Sequence, residues 1–360
     1  MTQTVQPELL AVSPVGANLI INGDMRIAQR GTSFAGYTTA NSGAVTLDRF
    51  KYYSTGAETV TISQDTDVPS GQGFTTSLKV DVTTADATVG AGETVRIETP
   101  LEGNNVAHLM FGTANAKQAT LSFWVKSPKT GAHYVNFSES SSYARCYPAL
   151  YTVSVADTWE YKTITLTGDI TGTWGTGSGV GLTAGFVLMA GSSFLGTADT
   201  WQAASVFAAS GVVNCMDNVA NNFFLTGVKL EVGSTATAFV PDDYGTAYRK
   251  CARYFWSTSG QGTKDNDALV SHCNVFNSST AYCSVYHPVP MRAMPTLTVD
   301  AASNFRTSDT ANHTLSALTD NSSSPRMAQL EAVASGMSGG QATRLQHIGA
   351  NGVLEFDAEL

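Results

Sequence analysis

The sequence predicts an all-β chain: a large antiparallel β-sandwich, a short helical linker, and a smaller C-terminal β-sandwich domain. Three observations carry that expectation. Of the 360 residues only 14% are charged, and 33 are glycine; ordinary globular chains carry about a quarter charged residues. Thr, Ser, Asn and Gly therefore cover the surface, a composition that favours strands and tight turns over long helices. Short apolar or alternating runs recur between Gly, Asn, Asp and Ser clusters, at the spacing of a sandwich. A single segment shows helical periodicity. A long coiled coil and a mainly helical enzyme are excluded.

In chain order, 1–17 contains Pro7 and Pro14 without periodicity and reads as an extended attachment arm. The large β unit is expected over 18–240. Its strand candidates are Leu19–Ile21, Val45–Tyr53, Thr59–Ser63, Ser77–Val82, Glu93–Glu98, Thr120–Lys126, His133–Phe137, Ala149–Val155, Tyr161–Thr167, Leu182–Leu188 and Phe223–Val232. Alternation places Leu121, Phe123 and Val125 on one face, with Ser122, Trp124 and Lys126 on the other. By the same period Phe224, Val228, Leu230 and Val232 share a face, and Lys229 and Glu231 point away.

Over 241–255 the period changes. Tyr244, Tyr248, Cys251, Ala252 and Phe255 trace one stripe of a helix, with Asp243 as N-cap. From 256 to 360 a second β unit begins. Ala268–Phe276 and Thr280–His287 flank Asn277-Ser278-Ser279 as a hairpin. Pro288, Pro290 and Pro295 impose an extended path. Arg326–Ala334, Thr343–Gly349 and Val353–Leu360 follow as strands; the last alternates Leu354, Phe356, Ala358 and Leu360 against Val353, Glu355, Asp357 and Glu359.

The formal charge is −9, from 29 acidic and 20 basic residues, with no Lys/Arg run. Phosphate backbones require clustered cations, so nucleic-acid binding is excluded. Apolar stretches such as Phe186–Ala190 fall far short of the roughly 20 residues of a membrane helix. No basic-then-apolar leader opens the chain, so any route outside a cell is expected to bypass the Sec signal. Five cysteines without CxxC spacing, Cys146, Cys215, Cys251, Cys273 and Cys283, read as buried small apolar residues of a protein made in a reducing cytoplasm, without a disulfide framework.

Catalytic motifs are weak. Gly175, Gly177, Gly179 and Gly181 resemble a phosphate loop, but a strand rather than a helix is expected after them. Gly336-Met337-Ser338-Gly339-Gly340 matches a nucleophile elbow without the α/β context it needs. The six histidines show no metal-ligand spacing, and Asp65/Asp67 and Asp242/Asp243 read as turn and cap residues. The stronger signal is aromatic. Trp124 and Tyr134 fall on the polar side of adjacent strands, with Tyr143 and Tyr147 beyond them. Aromatic faces stack on the C–H faces of sugar rings, and Lys126, Asn136 and Ser122 supply polar partners for hydroxyls. A loop covering Trp124 is the competing reading.

The ordered set Asn18-Leu19-Ile20-Ile21-Asn22-Gly23-Asp24-Met25, Thr120–Ser127, Asp157-Thr158-Trp159-Glu160-Tyr161 and Phe224–Gly233 resembles the jelly-roll carbohydrate-binding modules of polysaccharide-degrading enzymes. With Met25–Gly31, Leu47-Asp48-Arg49-Phe50, the Tyr244–Tyr254 link, Pro288–Pro295 and the closing Phe356–Leu360, the chain resembles more specifically the fibre and tail proteins of bacteriophages, especially of marine and cyanobacterial hosts. The resemblance implies an antiparallel jelly roll, a virion location and a homotrimer. It also implies a structural calcium near the first and last strands, where Asn22, Asp24 and Glu231 stand, though Lys229 occupies a position where an acidic ligand would help.

The expected function is a phage virion fibre protein that recognises host-surface glycan and mediates adsorption, attached to another virion protein through its arm. Trp124, Tyr134, Asn136, Tyr147 and Lys126 are the carbohydrate-binding candidates, and Tyr282, Tyr286 and His287 the receptor-binding candidates of the C-terminal domain. Tyr244, Tyr248, Cys251, Ala252 and Phe255 are trimer contacts, or else pack on the jelly roll of their own chain. The competing classes are an architectural virion protein (head decoration, tail or baseplate component) and a polysaccharide depolymerase, the latter needing an acidic pair in a groove.

Overall fold

The computed structural model describes residues 16–139, 142–258, 268–348 and 352–360. The attachment arm over 1–15 lies outside them. The first unit contains β1 (Ser33–Tyr37), β2 (Lys51–Ser54), β3 (Thr59–Asp65), β4 (Ser77–Thr84), β5 (Thr94–Glu102), the one-turn helix α1 (Gly103–Val106), β6 (Ala119–Lys126), β7 (Gly131–Ser138), β8 (Cys146–Val153), β9 (Glu160–Leu166), β10 (Val180–Ala190), β11 (Leu195–Gly196), β12 (Ala208–Ala209) and β13 (Asn222–Val232). Two sheets form its jelly-roll sandwich. One has the order β1-β3-β4-β13-β6-β9, the other β2-β5-β10-β7-β8, and every pairing within them is antiparallel.

Between the sheets lies one apolar core, including Leu121, Phe123 and Val125 from β6, as alternation requires. β13 departs from simple alternation. Its register with β6 breaks between Thr226 and Lys229, and Gly227 takes φ +62°. A bulge adds one residue and inverts the facing beyond it. Phe223 and Leu225 therefore enter the core before the bulge, and Val228 and Leu230 after it. Phe224, expected to share their face, points outward.

Leu19–Ile21 is not a strand. Residues 18–24 form a turn that hooks onto the bulge: the Leu19 amide donates to the Leu230 carbonyl (2.8 Å), and the Val228 amide to the Gly23 carbonyl (2.8 Å). A Cβ at position 23 would sit 2.0 Å from the Val228 carbonyl oxygen, which is why glycine stands there. The short strands β1, β11 and β12 carried no clear sequence signal, and of Val45–Tyr53 only the end is strand, with Val45 bridging to Lys51.

Helix α2 (Tyr244–Ala252) is capped as expected, the Asp243 carboxylate accepting from the Thr246 amide at 3.0 Å. Its stripe is spent within the chain. Ala247 and Cys251 pack on Ile27 with Tyr248 beside them, Ala252 enters the second core, and Phe255 begins the next strand, fully covered. Cys251, Ala252 and Phe255 are thus unavailable as trimer contacts. Tyr248 is half-buried, and Tyr244 alone of the five stays exposed.

The second unit stacks a three-stranded sheet on a seven-stranded one. Its strands are β14 (Phe255–Ser257), β15 (Leu269–Val275), β16 (Thr280–Tyr286), β17 (Thr296–Val299), β18 (Phe305–Ser308), β19 (Asn312–Thr314), β20 (Ala317–Ser323), β21 (Met327–Val333), β22 (Ala342–His347) and β23 (Leu354–Asp357). The orders are β14-β23-β17 and β19-β18-β22-β15-β16-β21-β20. The β15–β16 hairpin sets Cys273 opposite Cys283, and the two form a disulfide with Cα atoms 4.1 Å apart. This corrects the expectation of five free thiols; Cys146, Cys215 and Cys251 are free and buried.

Candidate functional site

The two outer faces of the jelly roll differ. That of the five-stranded sheet is closed over its centre by the chain itself, with Leu150 and Thr152 exposed at the β8 edge. Val206, Phe207 and Ala208 fold over it and bury Tyr134, Cys146 and Val187 in a satellite core. The Phe207 ring lies 3.8 Å from the Arg96 guanidinium, whose Nε donates to Glu98 at 2.7 Å. Tyr134 and Asn136 are sealed beneath this cover, and Tyr147 is buried with its ring 5.2 Å from Trp201. None of the three offers a face to a ligand, contrary to the sequence expectation. Alternation places a side chain on a face; it does not report which distant loop covers that face.

The outer face of the six-stranded sheet is covered over one half and partly open over the other, where Thr226 and Phe224 are buried, Trp124 is half-buried and Tyr161 is exposed. Over the lower half, Lys229 and Glu231 pair at 3.2 Å beneath the segment after β13, where Thr237 donates to Glu231 from its amide and its hydroxyl (both 2.8 Å). The expected solvent-facing pair is therefore buried. Asn22, Asp24 and Glu231 do not form a calcium site. The Asn22 amide group is consumed by the Ile27 and Asp48 carbonyls and the Ile27 amide, Asp24 is held by Arg26, and Glu231 by Lys229 and Thr237. Among the described residues no cluster of three His, Cys, Asp or Glu side chains could hold a metal.

The upper half carries an aromatic row. Thr226, Trp124 and Tyr161 stand side by side on β13, β6 and β9, and Lys79, Phe224 and Lys126 form the next row on β4, β13 and β6. Trp124 is half-buried with its ring 5.4 Å from Tyr161, which is 44% exposed. Lys126 caps the Phe224 ring (Nζ 4.2 Å from its centroid), and Trp159 meets that ring at 6.1 Å. Asp67 ties the edge together, pairing with Lys126 and accepting from Trp159 Nε1 at 2.8 Å. Those two donors and the Lys126 charge hold the Asp67 carboxyl below its ordinary range, against the effect of burial.

The bulge joins this row to a cavity. A Cβ at Gly227 would lie 2.6 Å from Phe74 Cζ and 3.1 Å from Trp124 Cδ1, so the Phe74 and Trp124 rings converge over that glycine. Phe74 packs on Phe239 at 5.3 Å, and both line a cavity of about 230 Å³ with Asp24, Arg26 and Gln72. Trp124 and Lys126 thus belong to this surface. Tyr161 was reachable from the sequence, since β9 alternates Tyr161, Thr163 and Thr165 against Ile164 and Leu166. Phe74 and Phe239 sit in aperiodic loops and left no such signal.

In the C-terminal unit, Tyr286 is 72% exposed and Tyr282 is half-buried against the exposed Phe276 ring at 5.8 Å. His287 is not a surface group. It is buried, its Nδ1 accepts from Trp256 Nε1 at 2.9 Å, and burial holds its pKa below the ordinary histidine value. Ser338 of the elbow-like motif precedes strand β22, and its amide donates to Asp309 at 3.2 Å. The neighbouring His313 spends both ring nitrogens on the Ser335 carbonyl and Asp309, not on Ser338.

No protein-family profile matches the chain, and no curated protein matches it. Among solved structures it overlaps a CBM4 carbohydrate-binding module (14% identity, TM-score 0.32, 59% of this chain and 99% of that one). A family 11 carbohydrate-binding module of the cellulosomal cellulase Lic26A-Cel5E of Clostridium thermocellum overlaps at 12% identity and TM-score 0.29, over 56% and 96%. The enzymatically active domain of bacteriophage CBA120 tailspike protein 4 overlaps at 11% identity and TM-score 0.29, over 55% of this chain, which spans only 21% of that one. The fold class rests on the strand order given above.

Proposed function

We propose that this chain is a non-catalytic carbohydrate-binding display protein and, more specifically, a bacteriophage virion fibre protein that recognises host-surface glycan. The observation that carries the glycan reading is the Trp124–Tyr161 row on the outer face of the six-stranded sheet, continued by Phe74 and Phe239 into a cavity that Asp24, Arg26 and Gln72 also line. A planar ring fixed by sheet packing presents its face without further ordering, and a pyranose stacks on such a face through its C–H bonds. Thr, Lys and Asp side chains around the rings supply hydroxyl partners. The virion placement, attachment through the arm and trimeric state are supported by the resemblance of the ordered sequence motifs to phage fibre proteins.

Two experiments test this reading. On an immobilised glycan panel the full chain is expected to retain at least one saccharide, and Trp124→Ala to weaken that binding tenfold or more, in the range for losing an aromatic anchor. Retention of no glycan, or full retention by Trp124→Ala, overturns it. Light scattering on the purified chain is expected to return a trimer; a monomer at micromolar concentration removes the trimer.

A further inference from the structure

We infer that the cavity beside Phe74 is a specificity subsite for one uncharged saccharide unit, reading vicinal hydroxyls through Asp24, Arg26 and Gln72, while the Trp124 row carries the neighbouring unit. The inference rests on the glycan reading and narrows it.

Two observations support it. The cavity and the row adjoin, because Phe74 lines the cavity and its ring edge and that of Trp124 both approach the Cα of Gly227. A chain of linked rings can therefore lie across both. The charges bordering that surface are also matched: Arg26 with Asp24, Lys126 with Asp67, and Lys79 with Asp81 at 3.5 Å. Three cations against three carboxylates leave no net positive charge to attract an acidic sugar. A uronate or sulfate entering the cavity would displace Asp24 from Arg26 and face that carboxylate as a like charge.

A neutral sugar meets no such opposition. The Asp24 oxygens accept and the Arg26 guanidinium donates, so one pair can take two adjacent hydroxyls while remaining paired. Gln72, exposed at the rim, offers both a donor and an acceptor. Asp24 thus has a role other than the calcium ligand its position in the sequence suggested.

The test uses the full chain on immobilised neutral glucans, galactans and mannans beside uronate-bearing and sulfated glycans, each at low and high salt. The expected result is retention of a neutral glycan with little change at high salt. Asp24→Asn is expected to weaken it about tenfold, the loss typical of a charge-assisted hydrogen bond, and Gln72→Ala severalfold. Gln72 is on the surface, so its variant decides the matter if Asp24→Asn fails to fold. Preferred retention of acidic glycans with steep salt dependence overturns the subsite. So does full retention by both variants while Trp124→Ala loses binding, a result that leaves the glycan reading standing. If no glycan is retained by the unaltered chain, both fall.

Discussion

Asp48 is buried beside the linker helix, and both its oxygens accept from Gln29, from the amide at 2.8 Å and from Nε2 at 2.6 Å. Burial raises its pKa to about 6; Arg30 and the two hydrogen bonds oppose the shift, and Glu359 adds to it. A carboxyl whose folded pKa exceeds its unfolded value of 3.8 favours the fold when protonated. Its contribution is therefore greatest at low pH, declines between pH 4 and 6, and stays level above that. Between pH 4.5 and 7.5 the native chain is expected to lose about 2 kcal/mol relative to Asp48→Asn in denaturant titrations. A pH-independent difference between the two proteins would refute this. Single residues were unevenly legible in the sequence. Trp124 was placed on its face by its neighbours Leu121, Phe123 and Val125, whereas Tyr134 and Asn136 obeyed the same alternation and were buried by Phe207, which lies about seventy residues further on. Local period fixes orientation; accessibility depends on long-range packing.

At the scale of elements, the β15–β16 hairpin shows a deduction that the sequence permits. With Asn277-Ser278-Ser279 as its turn, pairing outward matches Val275 with Ala281, Asn274 with Tyr282 and Cys273 with Cys283, the register the structure has. The odd number of cysteines argued for free thiols, but the hairpin already set two of them face to face. The bridge spans a sequence separation of 10 residues, so in the chain-entropy account it stabilises the C-terminal unit by about 2–3 kcal/mol. Reductant, or Cys273→Ala with Cys283→Ala, is expected to lower the melting temperature by several degrees, and thiol titration of the unreduced denatured chain to find three free thiols. Five free thiols with an unchanged melting curve would remove the bridge. The β13 bulge was less accessible. Gly227 sits between Thr226 and Val228 in a run that alternates on paper, and only its φ of +62° reveals the added residue. That slip turns Phe224 outward and leaves a glycine over which Phe74 and Trp124 converge, so the aromatic face owes its shape to a backbone feature that hydrophobic period does not encode.

In the whole molecule, the two β units meet through a polar seam beside the small apolar cluster of Ile27, Ala247 and Cys251. Arg30 and Arg49 of the first unit lay their guanidinium groups 3.6 Å over the rings of Phe255 and Tyr254. Both reach Glu359, just past β23, and Arg30 also pairs with Asp357 at 2.9 Å. Beside them Arg253 and Tyr254 donate to Glu102 at 2.6 and 2.8 Å, and Gln29 Nε2 to the Phe255 carbonyl at 2.8 Å. The terminal alternation identified Glu359 as a polar position, yet its partner Arg49 stands 310 residues earlier, beyond any pattern in the sequence. Arg49 is only 2% exposed, and without Glu359 its charge would keep, among the described residues, the Pro100 carbonyl and the Tyr254 ring. Stranding a buried cation in this way costs about 3–5 kcal/mol, and here the cost falls on the contact between units rather than on either core. The unaltered chain is therefore expected to unfold in one calorimetric transition. Glu359→Ala should split it into two, one for each unit. A single transition in the variant at the native temperature would show that the apolar contacts of helix α2 with Ile27 hold the units together without the seam.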